Sequence, residues 1–419
     1  MLEGKPELLI PARDLEVLKV AYNYGADACY IGGEEFSLRA MANNFSDADL
    51  KKAVDFAHSI NKKIYITANI YARNYHIDEA AKYFSYLNTI KPDAVLISDL
   101  GLFKIAKEIF KDVDIHISTQ ANTTNYQAVM FYKELGAKRV VLARELTFNE
   151  IKTIREKCPD IEIECFVHGA MCISYSGRCL LSAFMSNRSS NLGLCSHPCR
   201  WKYKVNDIQY LEADLTEEKR QNEHFKMIEN EQGSFIYNSK DLCMVEHIDD
   251  LIDAGIDSLK IEGRMKNALY VATVARTYRK AIDDYYNDKN IYHSNIDLYK
   301  KEISKCTYRE YSTGFYYGYQ NENAQVYGDN TYVVGSVFMG IVDKVEDGYA
   351  YIEQKNKFSV GDELEAIKLD FTNVKTKVIE MYDAETGEII NSCPHSKQKL
   401  KIKFDTIIEK GDILRNYDS

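Results

Sequence analysis

Between residues 7 and about 263, short runs of branched and aromatic residues alternate with amphipathic stretches, and this rhythm constrains the possible folds most tightly. The runs are ELLIPA (7–12), ACYIG (28–32), KIYITAN (63–69), AVLIS (94–98), IHIST (115–119), RVVLAR (139–144), IEIECFV (161–167) and SLKIEG (258–263). Between them, DLEVLKVAYNYGA (14–26), DADLKKAVDFAHSIN (47–61) and similar segments carry apolar residues at helical spacing. Repeated strand–helix units predict a parallel sheet covered by helices. Eight of them suit an α/β, TIM-like (β/α)8 barrel better than an open doubly wound sheet, and no Gly-x-Gly-x-x-Gly follows the first strand. A barrel gathers its chemistry at the C-terminal ends of its strands. Asn69, Ser98, Gln120, Arg144, His168 and the corner Glu262–Gly263–Arg264 are expected there.

The rhythm breaks between the seventh and eighth strands, where residues 168–233 form an insertion. Its second part, 203–233, is polar and reads as a surface excursion, and FIYNSKDL (235–242) reads as an extra strand entering a helix. ALYVATVARTYRKAIDDYYND (268–288) is helical in pattern. Beyond about 325 the text becomes strand–turn–strand: TYVVGSVFMGIVDKV, YAYIEQKNKF, DELEAIKLD, VKTKVIEMYD and KLKIKFD. That predicts a catalytic barrel over 1–325 and a small C-terminal antiparallel β-barrel over 326–419.

No window approaches the length of apolar sequence that a membrane span needs, and the N-terminus does not read as a signal peptide. A cytoplasmic protein without membrane partners is therefore expected. Its 53 basic and 63 acidic residues give a net charge of −10. That balance argues against a general nucleic-acid coat, but not against one local basic groove.

A reducing compartment changes how ten cysteines are read. Cys29, Cys165, Cys306 and Cys393 stand in apolar contexts that suit buried thiols, and Cys158 stands near a helix end. The other readings concern HGAMCISYSGRCLLSAFMSNRSSNLGLCSHPCRW (168–201), where Cys172, Cys179, Cys195 and Cys199 follow the spacing Cys-x6-Cys-x15-Cys-x3-Cys. Disulfides, a zinc site and an iron–sulfur cluster all remain open on spacing. Zinc modules favour paired Cys-x2-Cys knuckles, whereas a cluster tolerates irregular gaps. Cys243 is a fifth thiol that could replace Cys199.

In VHGAMCISYSGRC, CSHPCRW, NSKDL and SLKIEGR, the chain resembles the collagenase-like peptidase family of unknown catalytic type. Within it the likeness is to a branch acting in prephenate-dependent 5-hydroxylation of the tRNA wobble uridine, and it extends to the C-terminal KNKFSVGDELE. The resemblance implies a [4Fe-4S] cluster on Cys172, Cys179, Cys195 and Cys199. A sister branch takes its fourth ligand from further along the chain, which keeps Cys243 as the alternative. Also implied are prephenate as co-substrate and the tRNA anticodon region as partner, with a related paralogous subunit as a further candidate. The family name carries a rival, a collagenase-like peptidase. Neither a His-Glu-x-x-His helix nor a Gly-x-Ser-x-Gly elbow supports it, although His168 and Cys172 lie close in sequence. A third reading is an iron–sulfur scaffold subunit without its own catalysis.

A dicarboxylate such as prephenate calls for guanidinium forks or lysines. Arg144 and Arg264 end predicted strands, Lys240 and Lys260 accompany them, and Arg39 and Arg73 extend the set. The expected catalytic group is His168, Arg144, Glu262 and Arg264, and the expected substrate contacts are Arg39, Asn69, Gln120, Lys240, Lys260 and Trp201. Trp201 is chosen because an extruded base needs an aromatic platform, with Tyr175, Phe184 and the turn STGFYYGYQ (312–320) as other aromatics.

Overall fold

The computed structural model describes residues 4–38, 44–200, 212–216, 224–230, 233–235, 239–318 and 332–416. They fall into two compact units. The first is drawn from Met1–Leu18, Asp27–Met265 and Arg309–Val333, and the second from Lys19–Ala26, Lys266–Tyr308 and Val334–Ser419.

The first unit is the expected parallel barrel. β1 (Glu7–Pro11), β2 (Ala28–Gly32), β3 (Lys63–Ala68), β4 (Ala94–Ile97), β5 (Asp114–Ile117), β6 (Arg139–Val141) and β7 (Glu162–Ala170) pair in chain order. The helices between them are α1 (Leu15–Asn23), α2 (Asp47–Ser59), α3 (Ile77–Ile90), α4 (Leu100–Ile109), α5 (Tyr126–Glu134) and α6 (Phe148–Lys157). Their starts are written locally. Ser46, Asp99, Asn125 and Thr147 each accept a first-turn amide, and Thr147 and Glu150 close a capping box. The insertion follows, with α7 (Leu181–Ser186) and an antiparallel sheet of β8 (Glu212–Thr216), β9 (His224–Asn230) and β10 (Gly233–Phe235) where only a polar excursion was expected. After β11 (Asp241–Cys243) and α8 (Ile248–Asp253), β12 (Ser258–Ile261) pairs in parallel with both β7 and β1 and closes the barrel. β14 (Tyr311–Ser312), which follows β13 (Thr307–Tyr308) in the chain, pairs with β11.

One expectation shifts. His168 does not end its strand, because β7 runs on to Ala170. Antiparallel β11 extends the ladder there, setting Cys243 opposite His168 and Asp241 opposite Ala170.

The barrel interior carries buried charge. Arg139 donates to Glu7 at 2.6 Å, to Glu162 at 2.7 Å and to Glu164 at 3.0 Å, and Lys260 donates to Glu164 at 2.6 Å. Tyr65 and Ser258 also donate to Glu7, at 2.6 and 3.0 Å. Burial raises the Glu7 carboxyl's pKa, but Arg139 outweighs it and holds the group below its usual range. Burial and the surrounding cations, Arg139 first, push His116 well below the usual imidazole range, so it stays neutral.

The second unit contains α9 (Ala268–Asn287), α10 (Lys289–Ser294), α11 (Ile296–Ile303) and a six-stranded closed antiparallel barrel. Fifteen of the twenty α9 residues are buried, which explains its apolar residues on nearly every side. β15 (Val333–Val334) precedes the barrel strands β16 (Phe338–Glu346), β17 (Tyr349–Gln354), β18 (Glu363–Ile367), β19 (Asn373–Asp383), β20 (Lys399–Phe404) and β21 (Ile413–Asn416). They close in the order β16-β17-β20-β19-β18-β21. Sequence patterning anticipated five of these. The short β21, ILRN, lacks alternation at its polar end and was missed.

Glu302 ties α11 to this barrel, accepting from Arg276 at 2.6 Å and Arg415 at 2.8 Å, while Arg415 also donates to Glu365 at 2.6 Å. Burial opposes ionisation of Glu302, but the two guanidinium groups prevail and bring it down to about 2. A depressed carboxyl stabilises the fold above its unfolded pKa and loses that contribution as pH falls through the folded value. Its share is about 3 kcal/mol, complete above about pH 4.5 and gone near pH 2. Thermal unfolding of Glu302→Gln beside the wild type should show a gap of that size at pH 7 that closes towards pH 2. A gap independent of pH would rule the coupling out.

Candidate functional site

The cysteine segment, residues 171–200, is fastened over the C-terminal ends of the barrel strands. Tyr71, after β3, donates its hydroxyl to the Gln120 carbonyl, and its amide bonds to the Asn191 carbonyl at 3.1 Å. Glu145, after β6, accepts from the Ser176 amide at 2.7 Å. Asn191 donates to the Gly177 carbonyl at 3.2 Å, and Ser190 to the Cys179 carbonyl at 2.7 Å. Arg200 reaches back to the Met171 carbonyl at 2.6 Å, joining the backbone beside Cys172 to the residue after Cys199. All ten cysteines are free. Burial raises the Cys199 thiol's pKa, Arg200 lowers it, and Cys172, Cys195 and Cys179 each raise it again. Four thiols from one segment therefore share an electrostatic neighbourhood. Among the described residues no three His, Cys, Asp or Glu side chains are grouped to hold a single metal ion.

Gly177 is held at φ +72°, and a Cβ there would run into the Gln120 carbonyl. Gly177→Ala is expected to speed amide hydrogen exchange across 171–200 by tenfold or more while β1–β6 keep their protection. Unchanged exchange in the segment would show that this contact does not hold it.

Beneath the segment the strand ends form a polar ring. Asn69 accepts from the Leu38 amide at 3.1 Å and donates to Ser118 at 3.3 Å. Arg264 is buried and donates to Ser37 at 2.7 Å, Thr67 at 2.9 Å and Asn44 at 3.0 Å. Arg144 lies 3.9 Å over the Phe166 ring, donates to the Ala170 carbonyl at 2.8 Å and stands 3.6 Å from Glu262. The Glu262 amide bonds to the His168 carbonyl at 2.8 Å, which places β7 and the Glu262 corner side by side. His168 is itself buried, 5.4 Å from the Tyr311 ring.

Residues 13–326 match the sequence profile of peptidase family U32, and 335–415 match that of the family's C-terminal domain. The chain belongs to peptidase family U32. Among U32 relatives, the tRNA hydroxylation protein P1 of Bacillus subtilis is 39% identical over 420 residues, covering 99% of this chain and 96% of its own. The tRNA hydroxylation protein P of Haemophilus influenzae is 38% identical, covering 92% and 90%. The 23S rRNA 5-hydroxycytidine C2501 synthase of Escherichia coli is 34% identical, covering 66% of this chain and 39% of that one.

In this U32 chain the expected site residues fall into distinct settings. Asn69, Arg144, Glu262 and Arg264 lie at the strand ends, with the Gln120 carbonyl in the fastening of the cysteine segment. Lys240 pairs with Glu310 at 2.9 Å, and Lys260 points into the barrel at Glu164. Arg39 and Trp201 lie outside the described residues. Tyr316, from the aromatic turn, is buried and donates to the Phe166 carbonyl at 2.7 Å, so it packs the barrel wall. Cys29, Cys165, Cys306 and Cys393 are buried as expected, and burial pushes the Cys165 thiol far above its usual range. Sequence reading missed Tyr71 and Glu145, which fasten the segment. Their signal was position alone, two residues past an expected strand end and directly after Arg144.

Proposed function

We propose that this protein hydroxylates the wobble uridine of tRNA at C5, with prephenate as co-substrate and a [4Fe-4S] cluster on Cys172, Cys179, Cys195 and Cys199. The observation that carries the reading is the end-to-end similarity to proteins named for tRNA hydroxylation. The relative named for 5-hydroxycytidine formation in rRNA points to the same change on a second pyrimidine. The donor types suit such a cluster: four free cysteines lie in one fastened segment, and Arg200, beside Cys199, bonds back to the Met171 carbonyl next to Cys172. Such a cluster supplies one-electron transfer.

The chain's own residues supply the rest. Reaching C5 of a stacked base requires that the base leave its stack, and a reactive site there must keep bulk water out. Arg144 and Arg264, braced by Ala170, Ser37 and Thr67, are preorganised cations for a dicarboxylate at the strand ends. Glu262, 3.6 Å from Arg144, orients that guanidinium. His168, buried on β7, is a candidate proton carrier beneath them.

A bacterial strain deleted for its own tRNA hydroxylation proteins tests the reading. Expression of this chain should restore 5-hydroxyuridine-derived nucleosides in tRNA digests read by mass spectrometry, and blocking prephenate synthesis should remove them again. No restoration by a soluble, iron-loaded protein would refute the activity. In the same strain Arg144→Met should lower the modified fraction at least tenfold, and a normal level would remove Arg144 from the substrate site.

A further inference from the structure

From Gly169 to Asn206 the chain has no aspartate or glutamate, although acidic residues exceed basic ones by ten overall. The same stretch holds Arg178, Arg188, Arg200, Lys202 and Lys204. Large apolar side chains are also turned outward here. Phe184 is 89% exposed, Leu180 79% and Tyr175 60%, with Ile173 and Met185 partly exposed beside them in sequence. Leu180 and Phe184 are one helical turn apart, joined by the Phe184 amide to the Leu180 carbonyl at 2.9 Å, so they share a face. Exposed side chains of this size are costly unless something covers them. The backbone carrying them is fixed, since Ser182 and Ser186 both bond to Ser196, at 3.2 and 2.7 Å, and tie α7 to the second pair of cysteines. Glu145, from the loop after β6, accepts from the Ser176 amide.

Mobile-looking polar loops do not combine these features. A fixed stretch with outward aromatic rings, cations and no acidic residue of its own suits single-stranded nucleic acid, whose bases stack on rings while its phosphates meet guanidinium groups. An apolar protein partner would not require the exclusion of acidic residues over so long a stretch. We infer that the outer face of the cysteine segment, centred on Phe184 with Tyr175, Leu180, Arg178 and Arg188, docks the single-stranded loop of the RNA substrate. This rests on the proposed RNA activity and adds where the loop lands. Phe184 and Tyr175 stack on loop bases outside the barrel, and Arg178 and Arg188 hold its phosphates.

The test uses the full, iron-loaded protein and an unmodified 17-nucleotide anticodon stem–loop transcript, with binding read by fluorescence anisotropy. Phe184→Ala should weaken binding about tenfold, and Phe184→Trp should hold it near the wild-type value. The pair Arg178→Ala/Arg188→Ala should flatten the dependence of log K on log salt by about 1.4, at roughly 0.7 per phosphate contact. Far-UV circular dichroism and iron content should match the wild type in every variant, since Phe184 packs against little. Wild-type affinity and salt slope in both variants would overturn the inference, as would a Phe184→Ala variant that keeps RNA affinity but loses a co-purifying protein. Loss of binding in Phe184→Ala, with tRNA hydroxylation never restored by the wild type, would keep the docking face and discard the activity. Intact hydroxylation with unaltered binding would do the reverse.

Discussion

On the proposed cluster, Cys179→Ser protein purified without oxygen is expected to be colourless with less than one iron per chain, against an expected brown wild type with about four. Each thiolate of such a cluster holds one iron corner, so losing one exposes that corner to solvent and exchange. The same result is expected for Cys172→Ser, Cys195→Ser and Cys199→Ser, the other three proposed ligands. Cys243→Ser should keep its iron, since Cys243 sits on β11 opposite His168, outside the segment that carries the other four cysteines. Iron lost from Cys243→Ser and kept in Cys199→Ser would exchange the fourth ligand. Zinc without iron or sulfide in the wild type would remove the cluster altogether.

Arg139→Met is expected to cost about 3–5 kcal/mol of barrel stability, the typical penalty for stranding buried charge. Glu7 and Glu164 are both buried, and Glu7 depends on Arg139 for most of its compensation. The pH response should also change sign. In the wild type Glu7's lowered pKa contributes stability that is present above its unfolded value and is lost as pH falls below it. Without Arg139 burial dominates, the folded pKa rises above the unfolded one, and stability should then increase as pH drops from 7 towards 5. Denaturant midpoints at pH 7 and pH 5 measure both effects, and adding Glu7→Gln to Arg139→Met should recover part of the loss. A single variant within 1 kcal/mol of the wild type would show that the network is solvated in practice.

Much of this was legible in the sequence, for a physical reason. Strands buried on both faces must be apolar runs, so all eight barrel strands appear as text, six within two residues of their observed ends and β6 and β7 within three. The cysteine spacing likewise marked the segment before any geometry was known. The buried charges were harder. Glu164 between Ile163 and Cys165, and Lys260 between Leu259 and Ile261, were visible as charges within apolar runs, and that placement signals a side chain turned into the barrel. Lys260 was read instead as a substrate contact beside the strand-ending arginines, because its partner Glu164 lies 96 residues away. His168 was placed at a strand end because nothing local announces that β11 will lengthen β7. Gly177 gave no hint that it faces the Gln120 carbonyl, since that proximity exists only after closure.

The first unit is not finished when its eighth strand is made. The chain leaves at Met265, builds α9–α11 in the second unit, and returns at Arg309. Arg309 then forms a buried pair with Asp241 at 2.5 Å, and Tyr316 donates to β7. The contacts that clasp β7 and β11 thus come from sequence well beyond the closing strand. A ribosome-tethered chain stopped at 265 should therefore remain protease-sensitive along β7 and β11, the edge that Arg309 and Tyr316 later clasp.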